Sequence, residues 1–132
     1  MNTSTEAPNP LDAISETDQS EIRAALLALG ESKSRKVDGR MVANDDPQAQ
    51  ARAMGRLEEL KQKLGMTNTE FLGLCKELEK DARNKQNDIQ QREYDESPNA
   101  PGSPEAAAAV YTRDRLSVAL NMIGRGPAGK PV

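Results

Sequence analysis

Residues 46–78 decide the fold, and they read DPQAQARAMGRLEELKQKLGMTNTEFLGLCKEL. Asp46 followed by Pro47 is a helix start, because Asp accepts hydrogen bonds from free N–H groups and proline at the first helical position loses none. The apolar positions that follow are spaced by four, three and four residues and form one helical face: Ala53, Leu57, Leu60 and Leu64. The pattern predicts a helix near residues 47–64.

A second helix is predicted directly after the first. Gly65 is a typical stop signal, and Thr67 with Glu70 has the spacing of a capping box. The buried stripe that follows again has helical spacing: Phe71, Leu74, Cys75 and Leu78. Beyond Leu78 the chain is helix-prone but polar on nearly all sides. The pattern predicts a helix near residues 68–93, so the two helices form a central helical hairpin.

Two more helices flank this hairpin in the sequence. The first is predicted near residues 18–29, with Thr17 or Asp18 as its N-cap and Glu21 completing a capping box with Asp18. Its apolar face is Ile22, Ala25, Leu26 and Leu29. The last is predicted near residues 104–123, after the Ser-Pro start signal at 103 and 104. Its apolar face is Leu116, Ala119, Leu120 and Ile123.

Composition limits the kind of core that the chain can build. Its only aromatic residues are Phe71, Tyr94 and Tyr111. A core without aromatics must use Leu, Ile, Met and Ala, which suits helices packed on helices better than a sheet. We therefore predict an all-α fold, a small bundle of three to four short amphipathic helices with disordered N- and C-terminal tails.

The chain is predicted to contain a helical domain followed by a C-terminal helix, which packs either within the chain or on another chain. The predicted segments are a disordered arm at 1–10, a helical domain at 11–94, a flexible linker at 95–103, a helix at 104–123 and a flexible basic tail at 124–132.

Residues 31–45 are predicted to form a linker within the helical domain. Asp38-Gly39 favours the type I′ turn of a β-hairpin. Because an isolated two-stranded hairpin is marginal in water, a plain turn is the expected outcome.

Few residues suit catalysis. The chain has no histidine and a single cysteine, Cys75, so Ser-His and Cys-His nucleophile pairs and zinc sites of the usual kind are excluded. Residues 124–130 match Gly-x-x-x-x-Gly-Lys, but Pro131 replaces the Ser or Thr that magnesium needs, and a predicted helix precedes the motif where a strand is required. We expect no enzyme, metal, cofactor or small-molecule substrate.

No apolar run long enough to span a membrane occurs in the chain, and residues 1–10 lack the pattern of a signal peptide. We expect a cytoplasmic protein, or one inside a virion if a phage encodes it, that is not secreted and has no membrane partner.

Residues 56–71 resemble the opening of repressor-type helix-turn-helix domains: a first helix, a tight Leu-Gly-Met-Thr turn and the start of a second helix. The resemblance implies a DNA-binding regulator that uses a degenerate helix-turn-helix at residues 56–78, whose salt-sensitive DNA binding is lost when Lys61 and Lys63 are changed to Glu. After Leu74 the sequence continues the same helix with an acidic surface, which favours a capped helical hairpin instead.

The remaining features favour a binding protein. Short amphipathic helices joined by linkers, without catalytic groups, are typical of assembly or adaptor proteins that bind another protein or a second copy of themselves. The composition is similar in type to that of small phage scaffolding and head-tail accessory proteins. The DNA-binding regulator is the alternative. Candidate partner-binding residues are Leu116, Leu120, Ile123, Arg113, Arg115, Lys33, Arg35, Lys36 and Arg40.

Overall fold

The computed structural model describes residues 10–125. The predicted arm at 1–10 and tail at 124–132 therefore lie almost wholly outside the described residues. The elements in chain order are a 3₁₀ turn at Pro10–Ala13, α1 (Glu16–Glu31), β1 (Ser34–Val37), β2 (Arg40–Ala43), α2 (Pro47–Lys63), α3 (Asn68–Glu96) and α4 (Pro104–Arg125). The predicted all-α class is confirmed, with one small antiparallel strand pair added to the helices.

The central hairpin begins each of its helices with the predicted cap. The Asp46 side chain accepts a hydrogen bond from the backbone N–H of Ala49 at 3.0 Å, and Pro47 occupies the start of α2. At the start of α3, Thr67 and Glu70 each accept the other's backbone N–H, at 3.1 and 2.9 Å. These reciprocal bonds satisfy N–H groups that a helix start leaves free.

The predicted start of α1 is wrong. The cap is Ser15, whose hydroxyl accepts the backbone N–H of Asp18 at 3.1 Å, so Asp18 lies inside the helix and makes no capping box with Glu21. The 3₁₀ turn supplies the reason. Leu11 in this turn and Ile14 directly after it pack against the core, which fixes the chain direction before Ser15.

The predicted linker at 95–103 is shorter than expected, because α3 continues to Glu96. Side chains tie this end of α3 to the start of α4. The Ser103 hydroxyl donates to Glu93 and accepts the backbone N–H of Ala106 at 3.1 Å, and Arg92 pairs with Glu105 at 2.6 Å. The last turn of α3 is therefore held by α4.

All four helices contribute to one core. The buried apolar residues are Ile22, Ala25, Leu26, Leu29, Ala53, Leu57, Leu60, Phe71, Leu74, Cys75, Leu78, Leu116 and Ala119. Helix α4 thus packs within the chain. It crosses α1 at Gly30, where an added Cβ would lie 2.8 Å from the backbone carbonyl carbon of Arg115. Glycine is required there because the two backbones approach each other closely.

Residues 34–43 form a β-hairpin, so the predicted plain turn is wrong. Asp38 and Gly39 have φ values of +52° and +78°, which identify the two-residue type I′ turn. The expectation failed because it assumed an isolated hairpin. This hairpin packs against α4 through contacts between residues far apart in sequence.

Candidate binding hairpin

The strand register divides the hairpin side chains between two faces. The paired residues are Ser34 with Ala43, Arg35 with Val42, Lys36 with Met41, and Val37 with Arg40. Because paired residues share a face and side chains alternate along a strand, one face carries Ser34, Lys36, Met41 and Ala43. The other, here called the outer face, carries Arg35, Val37, Arg40 and Val42.

Two side chains of α4 hold the hairpin through β1. One Nη atom of Arg115 donates to the backbone carbonyl of Ser34 at 2.7 Å and also to the Ser34 hydroxyl. The Tyr111 hydroxyl accepts the backbone N–H of Lys36 at 3.4 Å, and the Lys36 ammonium lies 5.6 Å from the Tyr111 ring centroid. Charged donors and cation–π contacts of this kind fix β1 to the helical body.

Tyr111 also joins the hairpin to α1. Its hydroxyl donates to the Glu31 carboxylate at 2.5 Å, while the Arg115 guanidinium lies 5.7 Å from its ring centroid. Partial burial and the hydrogen bond to Glu31 raise the pKa of the Tyr111 phenol. The phenol is thus a protonated donor at neutral pH, and one side chain connects α1, β1 and α4.

The base of the hairpin is closed by backbone hydrogen bonds. The N–H of Asn44 donates to the carbonyl of Lys33 at 2.9 Å, and that of Asp46 donates to Ser32 at 2.8 Å. The Asn44 side chain donates to the carbonyl of Glu31 at 2.9 Å, and Lys33 pairs with Asp45 at 3.4 Å. The strands therefore leave the helical body in a defined direction.

The outer face is open to solvent and mixes cations with apolar side chains. Val37 is 40% and Val42 46% exposed, and Arg35 and Arg40 are also exposed. Within residues 10–125 neither arginine has an ion pair with an acidic side chain. Two free guanidinium groups beside two exposed valines form a surface suited to an acidic, partly apolar ligand.

The structure brings together one group of the predicted binding residues. Lys33, Arg35, Lys36 and Arg40 all lie on or at the base of the hairpin, and Arg115 anchors it. Arg115 is only 8% exposed, so its role is internal.

The other predicted residues belong to the helical body. Leu116 is fully buried in the core, and Leu120 and Ile123 pack against that core. Arg113 faces α3, where its Nε lies 3.8 Å from the Glu79 carboxylate. The chain itself therefore uses much of the α4 surface that was predicted to bind a partner.

The sequence analysis missed the outer valines and the buried polar cluster around Glu79. The alternation Arg35, Val37 and Arg40, Val42 around Asp38-Gly39 was the available signal for the outer face. The buried Glu79 carboxylate lies 2.7 Å from Arg83 and accepts from Ser117 at 3.1 Å. This contact joins residues 38 positions apart, and no local pattern indicates it.

The cations of the helix-turn-helix alternative have acidic partners. Lys61 pairs with Glu58 at 3.0 Å and Lys63 pairs with Asp18 at 2.9 Å. Helix α3 runs for 29 residues from Asn68 without a second turn, so residues 56–78 form a helical hairpin and contain no separate recognition helix.

Metal ligands and the single thiol were the remaining candidate chemical groups in the part of the chain that the structure describes. Residues 10–125 hold no group of three or more Cys, Asp or Glu side chains placed for a metal ion. Burial raises the pKa of the Cys75 thiol to about 12, which makes it a poor nucleophile at neutral pH. None of the described helices is both long and apolar enough to cross a membrane.

The helical body has surface grooves that differ from the hairpin in their lining. One, of about 440 Å³ between α1 and α2, is floored by alanines and bordered by the ion pair of Arg56 with Glu21 at 3.0 Å. Another, of about 520 Å³, lies beside the 62% exposed Tyr94 at the turn between α3 and α4. The first groove contains one cation without an ion pair among residues 10–125, Arg52, and its apolar lining is alanine, whereas the second groove contains no cation. The hairpin instead has two such cations beside two exposed valines. No protein family, curated protein or solved structure matches the chain.

Proposed function

We propose that this chain is a non-enzymatic binding protein of the assembly or adaptor class, and that the outer face of the hairpin holds an acidic segment of a partner protein. The observation that carries the proposal is the pair of exposed arginines, Arg35 and Arg40, without acidic partners and beside Val37 and Val42. A ligand that carries a carboxylate next to an apolar side chain complements this surface in both charge and polarity.

The arginines and the valines are expected to contribute different amounts of binding free energy. An exposed ion pair contributes only ~0.2–1 kcal/mol, so the arginines alone give weak binding. Apolar burial contributes roughly 25 cal/mol per Å², so covering Val37 and Val42 adds the larger part. The arginines then select an acidic ligand and accelerate its association.

A protein ligand is favoured over nucleic acid by three features. Val37 and Val42 lie between the cations, where phosphate contacts need polar groups. Asp38 occupies the tip of the hairpin, the part that enters a groove first, and its carboxylate repels phosphate. The whole chain has a net charge of -3 rather than a strongly basic one.

The particular form that we propose is a structural protein of the phage scaffolding or head-tail accessory type. A small, aromatic-poor helical body that displays a β-hairpin within residues 10–125, in a chain without histidine, supports it. The partner is then another protein of the assembly or a second copy of the chain.

Selection from a library of short random peptides tests the binding proposal. We expect the wild-type chain to enrich peptides that combine Asp or Glu with β-branched residues. Arg35→Glu/Arg40→Glu should lose these peptides, because like charges repel. The matched control is Lys76→Glu/Lys80→Glu, which makes the same charge change on the exposed surface of α3 and should keep them.

Two outcomes would contradict the proposal. One is enrichment of peptides that bind Arg35→Glu/Arg40→Glu as well as the wild type. The other is binding of random-sequence duplex DNA that falls steeply with salt and is lost in the same variant, which would make nucleic acid the ligand.

A further inference from the structure

The two edges of the hairpin differ in their free backbone groups. The pair Val37 and Arg40 closes a two-residue turn, so these residues exchange hydrogen bonds with each other. The alternation of antiparallel pairs then points the N–H and C=O groups of the next pair outward, away from the ladder. On β1 the outward groups belong to Ser34 and Lys36, and on β2 to Met41 and Ala43.

The β1 edge is already occupied by α4. The outward N–H of Lys36 donates to the Tyr111 hydroxyl, and the outward C=O of Ser34 accepts from Arg115. Both contacts agree with the alternation that the turn predicts. A further strand cannot pair along β1 without displacing them.

The β2 edge is open. Every residue from Arg40 to Ala43 is exposed, and among the described residues no hydrogen bond reaches the outward backbone groups of Met41 or Ala43. The Met41 side chain is 49% exposed on the face opposite Val42. An edge strand in this state is a template for pairing with an extended segment.

We propose that the β2 edge binds an acidic peptide of a partner protein as a third, hydrogen-bonded strand. This inference rests on the proposed function and specifies how the hairpin holds its ligand. Residues opposite each other on adjacent strands have Cβ atoms about 5 Å apart, so ligand side chains on the outer face meet Arg40 and Val42. The preferred ligand places an acidic and a β-branched residue two positions apart, with the residue between them against Met41.

Charge argues against a second copy as the occupant. Pairing β2 with the β2 of another copy would bring two sets of Arg35, Lys36 and Arg40 into one four-stranded sheet, and like charges repel. An acidic peptide instead neutralises these cations.

The test is fluorescence anisotropy with a labelled peptide, Glu-Thr-Val-Thr-Glu-Thr-Val, and two N-methylated copies of it. One copy is methylated at the threonines and the other at the remaining internal amides. Alternate N–H groups of a strand point to opposite edges. We expect one copy to bind about tenfold or more weakly and the other to bind like the parent peptide.

The protein side of the same test uses Ala43. Ala43→Pro removes the outward N–H while leaving the hydrogen bonds between β1 and β2 intact. It should weaken the binding of the parent peptide by a similar factor. Ala43→Thr keeps the N–H and should bind normally. Circular dichroism checks that both variants fold, and the N-methylated peptides give an answer that does not depend on any variant.

Equal binding of all three peptides would overturn strand addition, as would failure of the parent peptide to bind. The proposed function would survive either result if the library selection still gave acidic peptides that Arg35→Glu/Arg40→Glu loses. If the wild-type chain forms dimers in sedimentation and Ala43→Pro abolishes them, the proposed peptide is overturned and the occupant of the β2 edge is a second copy of the chain.

Discussion

The apolar side chains of the helical body are buried, whereas those on the outer face of the hairpin are exposed to solvent. In the body, Leu26, Leu60 and Leu74 are at most 1% exposed, whereas Val37 and Val42 in the hairpin are 40% and 46% exposed. The body therefore supplies the free energy of folding, and the hairpin keeps apolar surface available for a ligand. Changes in the body should alter stability, and changes on the outer face should alter binding alone.

One helix connects the two regions. Helix α4 buries Leu116 in the core, while the adjacent Arg115 donates a hydrogen bond to the Ser34 carbonyl of β1. The Tyr111 hydroxyl of the same helix accepts a hydrogen bond from a backbone N–H of β1. Because an isolated two-stranded hairpin is marginal in water, these contacts with the body stabilise it. This arrangement predicts a graded series of effects, from loss of the fold to no change in stability.

The largest effect is expected for Leu60→Asp. Leu60 is 1% exposed, and removing its side chain alone should cost about 2–5 kcal/mol before the buried charge is added. We expect the far-ultraviolet circular dichroism to lose most of its helical signal. The exposed Gln62→Asp is the control, and native helicity in Leu60→Asp would show that the core is placed wrongly.

Gly30→Ala should be the next most damaging change. Its Cβ would overlap the Arg115 backbone, and overpacking costs typically about 1–3 kcal/mol. Urea denaturation should show this loss. Gly55→Ala in α2, where an added Cβ meets nothing within 4 Å, should stabilise by about 0.5–1 kcal/mol. Equal effects at the two glycines would contradict the close crossing of α1 and α4.

Arg115→Met should separate the hairpin from the body. Losing the charged donor to Ser34 should cost about 1–3 kcal/mol. Amide exchange in residues 34–43 should accelerate far more than exchange in α2. Lys76→Met is a surface control that should change neither rate. Uniform acceleration across the chain would mean that the hairpin and the body unfold as one unit.

Tyr111 should give the hairpin anchor a pH limit. Burial and Glu31 raise the pKa of its phenol above the ordinary value of 10.0. The stabilisation that this phenol gives the folded chain is complete below the pKa that it has in the unfolded chain. It is lost as the pH rises through the pKa that it has in the folded chain. In Tyr94→Phe, which leaves Tyr111 as the sole tyrosine, absorbance should titrate at a higher pH in the native chain than in denaturant. Identical midpoints would show that the phenol is not held.

The smallest effect on stability is expected for Arg35→Glu/Arg40→Glu. Both side chains are exposed and lack ion pairs within residues 10–125, so the free energy of unfolding should change by about 0.5 kcal/mol or less. Urea denaturation checks this. A loss of several kcal/mol would mean that the outer face supports the fold and is not a free surface.

The sequence predicts the body better than the hairpin for a physical reason. Helix caps such as Asp46 and Thr67 and the leucine spacing of α2 are local, so they can be recognised without tertiary contacts. The start of α1 was not predicted correctly, because the turn before Ser15 depends on packing of Leu11 and Ile14 against the core.

The candidate site could be predicted only in part. The basic cluster from Lys33 to Arg40 is visible in the sequence, and the hairpin turn is signalled by Asp38-Gly39. The anchors that make the hairpin stable, Arg115 and Tyr111, lie 81 and 75 positions from their β1 partners. Contacts over such distances leave no local pattern, so the choice between plain turn and hairpin could not be made from residues 31–45.

The most direct test of the central claim is nuclear magnetic resonance mapping of an acidic peptide selected by the wild-type chain. We expect backbone amide shifts concentrated in residues 35–43, with little change in the grooves beside Arg56 and Tyr94. Shifts confined to a helical groove, with the hairpin unchanged, would contradict the account.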